Sequence, residues 1–223
     1  MIHQIYGIFN DGIDWRDIPK YRDNVEATQE FCKLHNYEYK LWGLKECQEL
    51  LNKEFPEYIE LWNDFRYPIQ RADFIRYCIL YQFGGLYIDC DIRPVKNLES
   101  VFKDKLFFVH WANDKDKLPY NAVMGSHKGQ KLFLDIMEEC ERSYLEKSKM
   151  DAYKKWKGRF IFQTTGHRML ERVMKQQKIN KNKYFHDCLY IDNPDKKGMS
   201  AIGTMNESLF FDSNASVWYD NLI

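Results

Sequence analysis

The groups in this chain best suited to chemistry are Asp73 and Arg76, three residues apart, and Asp89 and Asp91, two apart. Carboxylate oxygens are hard ligands that suit Mg²⁺ or Mn²⁺. Such ions take few protein carboxylates and complete their shell with phosphate oxygens and water. A guanidinium adds a planar set of donors matched to phosphate. Together these side chains make an arrangement for holding a divalent cation and the diphosphate it neutralises.

The surrounding elements must bring those groups together. A helix is predicted from about Pro68 to Phe83, and from Phe74 onward it is nearly all apolar, as a helix buried all round should be. Yet Gln70, Asp73 and Arg76 recur every three residues and share one stripe. Buried charges must be paired or face a ligand, so the stripe is either an internal Asp73–Arg76 ion pair or a polar face turned toward a nucleotide and sugar. Gly84-Gly85 suits a helix end turning sharply into a strand, and Leu86 to Asp89 reads as that strand. Asp89 and Asp91 then sit at its carboxyl end, where open α/β sheets bind ligands. In an extended segment residues i and i+2 point the same way, so both carboxylates could approach one ion. The spacing alone is weak: Asp114-Lys115-Asp116 repeats it in a lysine-rich stretch that reads as a solvated loop. The glycines and the polar stripe separate the two.

Further strands are expected at Ile2 to Phe9, Tyr37 to Trp42, Leu106 to His110, Ala122 to Gly125, and near 188–192 and 208–212. Helices are expected at Pro19 to Leu34 and at about 44–53, 57–65, 128–146 and 167–177. Alternating strands and helices predict an α/β layered fold, read as a single domain over 1–223.

Composition narrows the class. The 33 basic and 33 acidic side chains give no net charge, which disfavours a duplex nucleic-acid partner. No apolar run reaches about 18 residues, and the start lacks a basic-then-apolar leader, so a cytoplasmic location is expected. Six cysteines with no Cys-x-x-Cys read as reduced, mostly buried thiols. The six histidines show no metal-ligand spacing; His3 reads as a strand residue near the nucleotide and His167 as the start of a helix. There is no Walker loop and no Gly-x-Gly-x-x-Gly. Between Tyr144 and Phe160, Lys147, Lys149, Lys154, Lys155, Lys157 and Arg159 interleave with Tyr153 and Trp156. That is a solvated helix face, or a peripheral contact with anionic lipid at the inner face of a membrane.

The ungapped run Ala72-Asp73-x-x-Arg76-Tyr77-x-x-Leu80-x-x-x-Gly84-Gly85-x-Tyr87-x-Asp89-x-Asp91 resembles the signature of the Asp-x-Asp glycosyltransferase family. That family includes the yeast initiating α-1,6-mannosyltransferase and bacterial capsule and lipopolysaccharide sugar transferases, and is related to clostridial toxin glucosyltransferase domains. Ile2-His3-Gln4-Ile5-Tyr6, Tyr39 to Trp42, Asn121-Ala122, Thr165-Gly166 and Ser216-Val217-Trp218 extend the resemblance more weakly.

The resemblance implies a GT-A-type, Rossmann-like sheet flanked by helices, with a helical insertion. About 1–125 would bind the nucleotide sugar, and about 126–223 would form the acceptor half and a C-terminal lid. Asp91 would be the direct metal ligand, with Asp89 at the ribose, the sugar or the metal through water. Asp73 and Arg76 would hold the donor sugar, and Tyr6, Tyr87 and Asn121 would lie along the nucleotide sugar. Asn214, Ser216 and Trp218 would fold over the diphosphate, with Asn214 a further metal candidate. Two positions depart from the pattern: Tyr6 stands where relatives often carry a base-stacking Trp, and Asp212 and Asn214 stand where a His is common. The implied activity is metal-dependent (Mn²⁺ or Mg²⁺), retaining transfer of a sugar from a UDP-sugar or GDP-sugar to a hydroxyl of a glycan or lipid-linked oligosaccharide, in polysaccharide-type biosynthesis. No carboxylate stands out as a nucleophile. A catalytically weak nucleotide-sugar-binding relative and a metal-dependent nucleotidyltransferase are the alternatives.

Overall fold

The computed structural model describes residues 1–9, 12–110, 118–153, 156–186, 189–191 and 208–213. In chain order the elements are β1 (Ile2–Ile5), α1 (Pro19–Leu34), β2 (Tyr39–Trp42), α2 (Leu44–Glu54), α3 (Ile59–Asp64), α4 (Pro68–Phe83) and β3 (Gly85–Ile88). They continue with β4 (Ile92–Pro94), α5 (Glu99–Lys103), β5 (Leu106–His110), β6 (Pro119–Ser126), α6 (Lys131–Lys147), α7 (Lys157–Thr164) and α8 (His167–Gln176). Last come α9 (Lys181–Tyr184), β7 (Phe185–His186), β8 (Leu189–Ile191) and β9 (Phe210–Asp212).

The main sheet has the order β2-β1-β3-β6-β5-β7, and β4-β9-β8 form a smaller sheet beside it. Strands β2, β1 and β3 are mutually parallel, and β6 runs antiparallel to β3 and β5. The expected α/β architecture is therefore present. Alternation along the strands explains why helices cover both faces. Tyr87, Phe108 and Met124 enter one core cluster with the helices α2, α3, α4, α6, α7 and α8. Their neighbours Leu86, Ile88, Phe107, Val109 and Val123 enter a second, with Cys32 of α1, Val101 of α5 and Phe210 of β9.

Several expectations are corrected in detail. The first strand ends at Ile5 rather than Phe9, because the chain turns at Gly7 with φ +79°. The strands near 188–192 and 208–212 join the small sheet, where β9 pairs with β4, an element too short to read from sequence. Helix α7 lies inside the basic stretch that reads as one solvated face. The five described cysteines, 32, 47, 78, 90 and 140, are free and buried. Cys188 and the Asp114-Lys115-Asp116 decoy lie outside the described residues.

Candidate active site

Helix α4 begins at Pro68, whose missing N–H costs nothing in a first turn, and the Gln70 side chain accepts from the Tyr67 N–H. It stops at Gly84 with φ +67°, followed by Gly85 at φ +88°. No side chain fits at either: a Cβ would stand 2.5 Å from the Lys128 nitrogen at Gly84, and 2.5 Å from the Met1 carbonyl oxygen at Gly85. The double glycine thus folds β3 back beside α4 and β1, which carries Asp89 toward Arg76.

The polar stripe is real and is buried. Gln70 is inaccessible to solvent and donates to the Thr164 hydroxyl at 2.7 Å. One oxygen of Asp73 accepts from Asn121 Nδ2 at 2.9 Å and lies 3.2 Å from Arg76; the other accepts from the Thr165 hydroxyl at 3.0 Å. Arg76 also reaches Asp89 Oδ1 at 3.2 Å and donates to the Asn121 carbonyl at 2.7 Å. Its guanidinium carbon lies 4.7 Å over the Tyr87 ring, and the Tyr87 hydroxyl donates to Asp89. Of the two readings of the stripe, the internal Asp73–Arg76 ion pair is present, and Arg76 extends that pair to the Asp-x-Asp segment.

Residues 89–91 are not extended. The Ile92 N–H donates to the Asp89 carbonyl at 3.0 Å, closing a tight turn with Cys90 and Asp91 at its centre. Cys90 is buried and its thiol donates to the Ile5 carbonyl at 3.2 Å, while Asp89 and Asp91 remain half-buried. An inward-pointing residue anchoring a turn, rather than strand alternation, therefore sets the backbone between the two carboxylates. Gln4, fully buried in β1, donates to the carbonyls of Asp89 at 3.1 Å and Ile92 at 3.3 Å and accepts from Tyr39. Sequence reasoning missed Gln4; a polar residue inside an apolar strand is the signal that could have found it.

The tail approaches from the other side. Ser213, next after β9, donates to the Asp91 carbonyl through its N–H at 2.9 Å and its hydroxyl at 3.0 Å. Asp212 is inaccessible to solvent, accepts from the Tyr120 hydroxyl at 2.9 Å, and lies in register with Ile92. Tyr21 and Tyr120 flank the turn. Burial first, and then the negative charge of Asp91 and Asp89, with Asp212 as well for Tyr120, pushes both phenols up. Tyr6 is half-buried beside them, edge-on to Tyr21 at 5.8 Å, with its hydroxyl donating to Ile13. Asn214, Ser216 and Trp218 lie outside the described residues.

His3 is a correction. It sits at the amino end of β3 rather than near the turn, is inaccessible to solvent, and joins the Gly84 carbonyl at 2.9 Å and Trp42 Nε1 at 3.2 Å. Burial pushes its pKa down to about 4, so it stays neutral and braces the glycine turn. His167 does begin α8, packed on Phe162.

The carboxyl groups feel their burial. Asp73 is lifted to about 6 by desolvation, against the pull of Arg76 and of the Thr165 hydroxyl. Burial also raises Asp89, opposed by Arg76 and Tyr87. The surplus negative charge at the turn suits a cation. Among the described residues no three His, Cys, Asp or Glu side chains converge on a closed cage. The site therefore fits an ion held by one or two carboxylates, with phosphate and water supplying the rest.

The helix-flanked α/β sheet thus carries a carboxylate turn at the carboxyl end of β3, where open α/β sheets bind ligands. Residues 21–108 match the family described as glycosyltransferase sugar-binding region containing DXD motif. A mannosyl phosphorylinositol ceramide synthase of Saccharomyces cerevisiae is 29% identical over 220 residues, 98% of this chain and 52% of the relative. A second such synthase of that yeast is 32% identical over 143 residues, 63% of this chain and 34% of the relative. An inositol phosphoceramide mannosyltransferase of Schizosaccharomyces pombe is 31% identical over 120 residues, 53% of this chain and 33% of the relative. The chain spans about half the length of the first of these relatives and about a third of the other two. Among solved structures, the PaToxG glycosyltransferase superposes with a TM-score of 0.47 at 16% identity, covering 79% of this chain and 68% of that one.

Proposed function

We propose that this chain is a glycosyltransferase that moves a hexosyl group from a nucleoside-diphosphate sugar to a hydroxyl of a glycolipid. The observation that carries this reading is the Arg76 bridge, which ties the buried Asp73 to Asp89 of the turn. The names of the curated relatives favour a mannosyl group and an inositol phosphoceramide-like acceptor. Half-exposed Asp91, with Asp89, would hold Mg²⁺ or Mn²⁺, which when bound supplies positive charge to the departing diphosphate.

The chain's own residues do the rest. Arg76 keeps its charge and presents a guanidinium between the buried Asp73 and the turn, where negative charge would grow on the leaving oxygen. Asp73, held on both oxygens by Asn121 and Thr165, offers a rigid acceptor for sugar hydroxyls. Gln4 and Cys90 hold the turn, so Asp89 and Asp91 need no rearrangement. Retention of configuration follows the family resemblance and belongs to the same proposal.

The test is product analysis with UDP- and GDP-sugars, GDP-mannose among them, with and without Mn²⁺ and an inositol phosphoceramide acceptor. The proposal expects Mn²⁺-dependent release of nucleoside diphosphate that rises with acceptor and is lost in Asp91→Ala. Full activity in Asp91→Ala, or pyrophosphate as the product, would refute it.

A further inference from the structure

The turn between α6 and α7 leaves apolar surface that the fold itself does not use. Leu145 (50% exposed), Met150 (44%) and Trp156 (64%) are three of the seven large hydrophobic side chains exposed among the described residues. All three fall within twelve positions. Their neighbours do the opposite. Tyr144 and Phe160 are buried with ring centroids 5.7 Å apart, and Tyr153 lies 6.2 Å from Phe160. Tyr144 also donates to the Asp64 carbonyl. The end of α6 and the start of α7 are thus pinned from inside by residues other than the exposed three.

Charge is concentrated on the same turn. From 145 to 160 there are six basic side chains and two acidic ones, Glu146 and Asp151. The segment therefore carries four positive charges in excess, while the whole chain is neutral. Lys149, Lys157 and Arg159 are exposed. Arg66, also exposed, stacks 4.6 Å over Phe160 and donates to the Ser148 carbonyl, bringing one more cation to the patch. Lys147 stands 3.8 Å from Glu146. Apolar side chains ringed by cations are complementary to an anionic bilayer surface, which offers a hydrocarbon boundary beneath a layer of phosphates.

Position gives the patch a use. Eight-residue α7 spans about 12 Å. Trp156 precedes it, and Thr165, which donates to Asp73, follows it. The exposed turn is one short helix from the buried stripe.

We propose that the α6–α7 turn is a membrane-docking surface. Leu145, Met150 and Trp156 enter the headgroup boundary of an anionic bilayer, and Lys149, Lys157, Arg159 and Arg66 meet its phosphates. Its use, presenting the site to an acceptor held in a bilayer, rests on the glycolipid reading above; the contact itself does not.

The test is co-sedimentation of the full chain with vesicles of phosphatidylcholine alone, or of phosphatidylcholine with phosphatidylserine, at low and high salt. The proposal expects binding to the anionic vesicles only, reversed by salt. It expects the bound fraction to fall about tenfold in a Trp156→Ser, Lys149→Glu, Lys157→Glu variant. Trp156→Ser alone gives a smaller loss in the same direction, which keeps the test valid if the triple variant folds poorly. Leu34→Ser, at a residue 78% exposed on α1, leaves binding unchanged. No pelleting, equal pelleting with neutral vesicles, or wild-type pelleting by the Trp156 variants overturns the proposal. Vesicle binding without sugar transfer would count against the glycosyltransferase reading alone, and transfer without vesicle binding against this surface alone.

Discussion

Replacing Arg76 by Met tests the electrostatic design of the site with little change of volume. The Arg76 side chain is 4% exposed and lies 3.2 Å from both Asp73 and Asp89. At that separation each attraction is on the order of 5 kcal/mol for an effective dielectric of about 20, before the cost of desolvation. Desolvation has already been met by all three groups. Removing the cation therefore leaves two carboxylates uncompensated, a defect that costs about 3–5 kcal/mol. Both carboxyls would then titrate higher than they do now, so the loss should be greatest at neutral pH and shrink as acid protonates them. Urea unfolding of the two proteins across that pH range measures it. Adding Asp73→Asn to Arg76→Met should restore part of the loss, since one buried charge is gone. A loss below about 1 kcal/mol, with no pH dependence, would place Arg76 in water and refute the reasoning.

Gly85→Ala should destabilise by about 2–3 kcal/mol or more, because φ is +88° and the new methyl meets the Met1 carbonyl at 2.5 Å; chemical denaturation checks it. For Asp73 the folded pKa of about 6 exceeds the ordinary 3.8. An acid raised in this way costs nothing below 3.8 and loses stability as pH climbs toward 6. Relative to Asp73→Asn, the wild type should thus fall by up to about 3 kcal/mol across that window, read from paired urea titrations. Gln4→Leu removes both side-chain donors from the Asp-x-Asp turn and should cost about 1–3 kcal/mol. Because the turn then loses its anchor, metal-dependent nucleotide affinity should fall as well, measured by titration calorimetry.

The pieces of this site that a reader of the sequence can find are those whose geometry is local. Gln70, Asp73 and Arg76 share a stripe because a helix repeats every 3.6 residues, and Gly84-Gly85 announces a sharp turn because other residues resist positive φ. The individual strands β1, β2 and β3 are legible from apolar runs and turn residues, though their parallel pairing is not. What escaped depends on long-range placement. Gln4 reaches Asp89 across 85 positions and Thr165 reaches Asp73 across 92. No spacing rule links such residues before the sheet forms. The same holds for Tyr120 and Asp212, which meet only because β9 crosses to β4. The Asp-x-Asp segment also differs from its expected extended form: residues 89–92 close a tight turn in which the Cys90 thiol donates to Ile5.

The central claim, that Asp91 and Asp89 hold a divalent ion shared with a nucleoside diphosphate, is tested most directly by titrating UDP and GDP into the protein with and without Mn²⁺. At least one of them should bind at least about tenfold more tightly with the metal. Asp91→Ala should remove the difference while its unfolding midpoint stays that of the wild type. Equal affinity with and without metal, or an unchanged metal effect in Asp91→Ala, would contradict it.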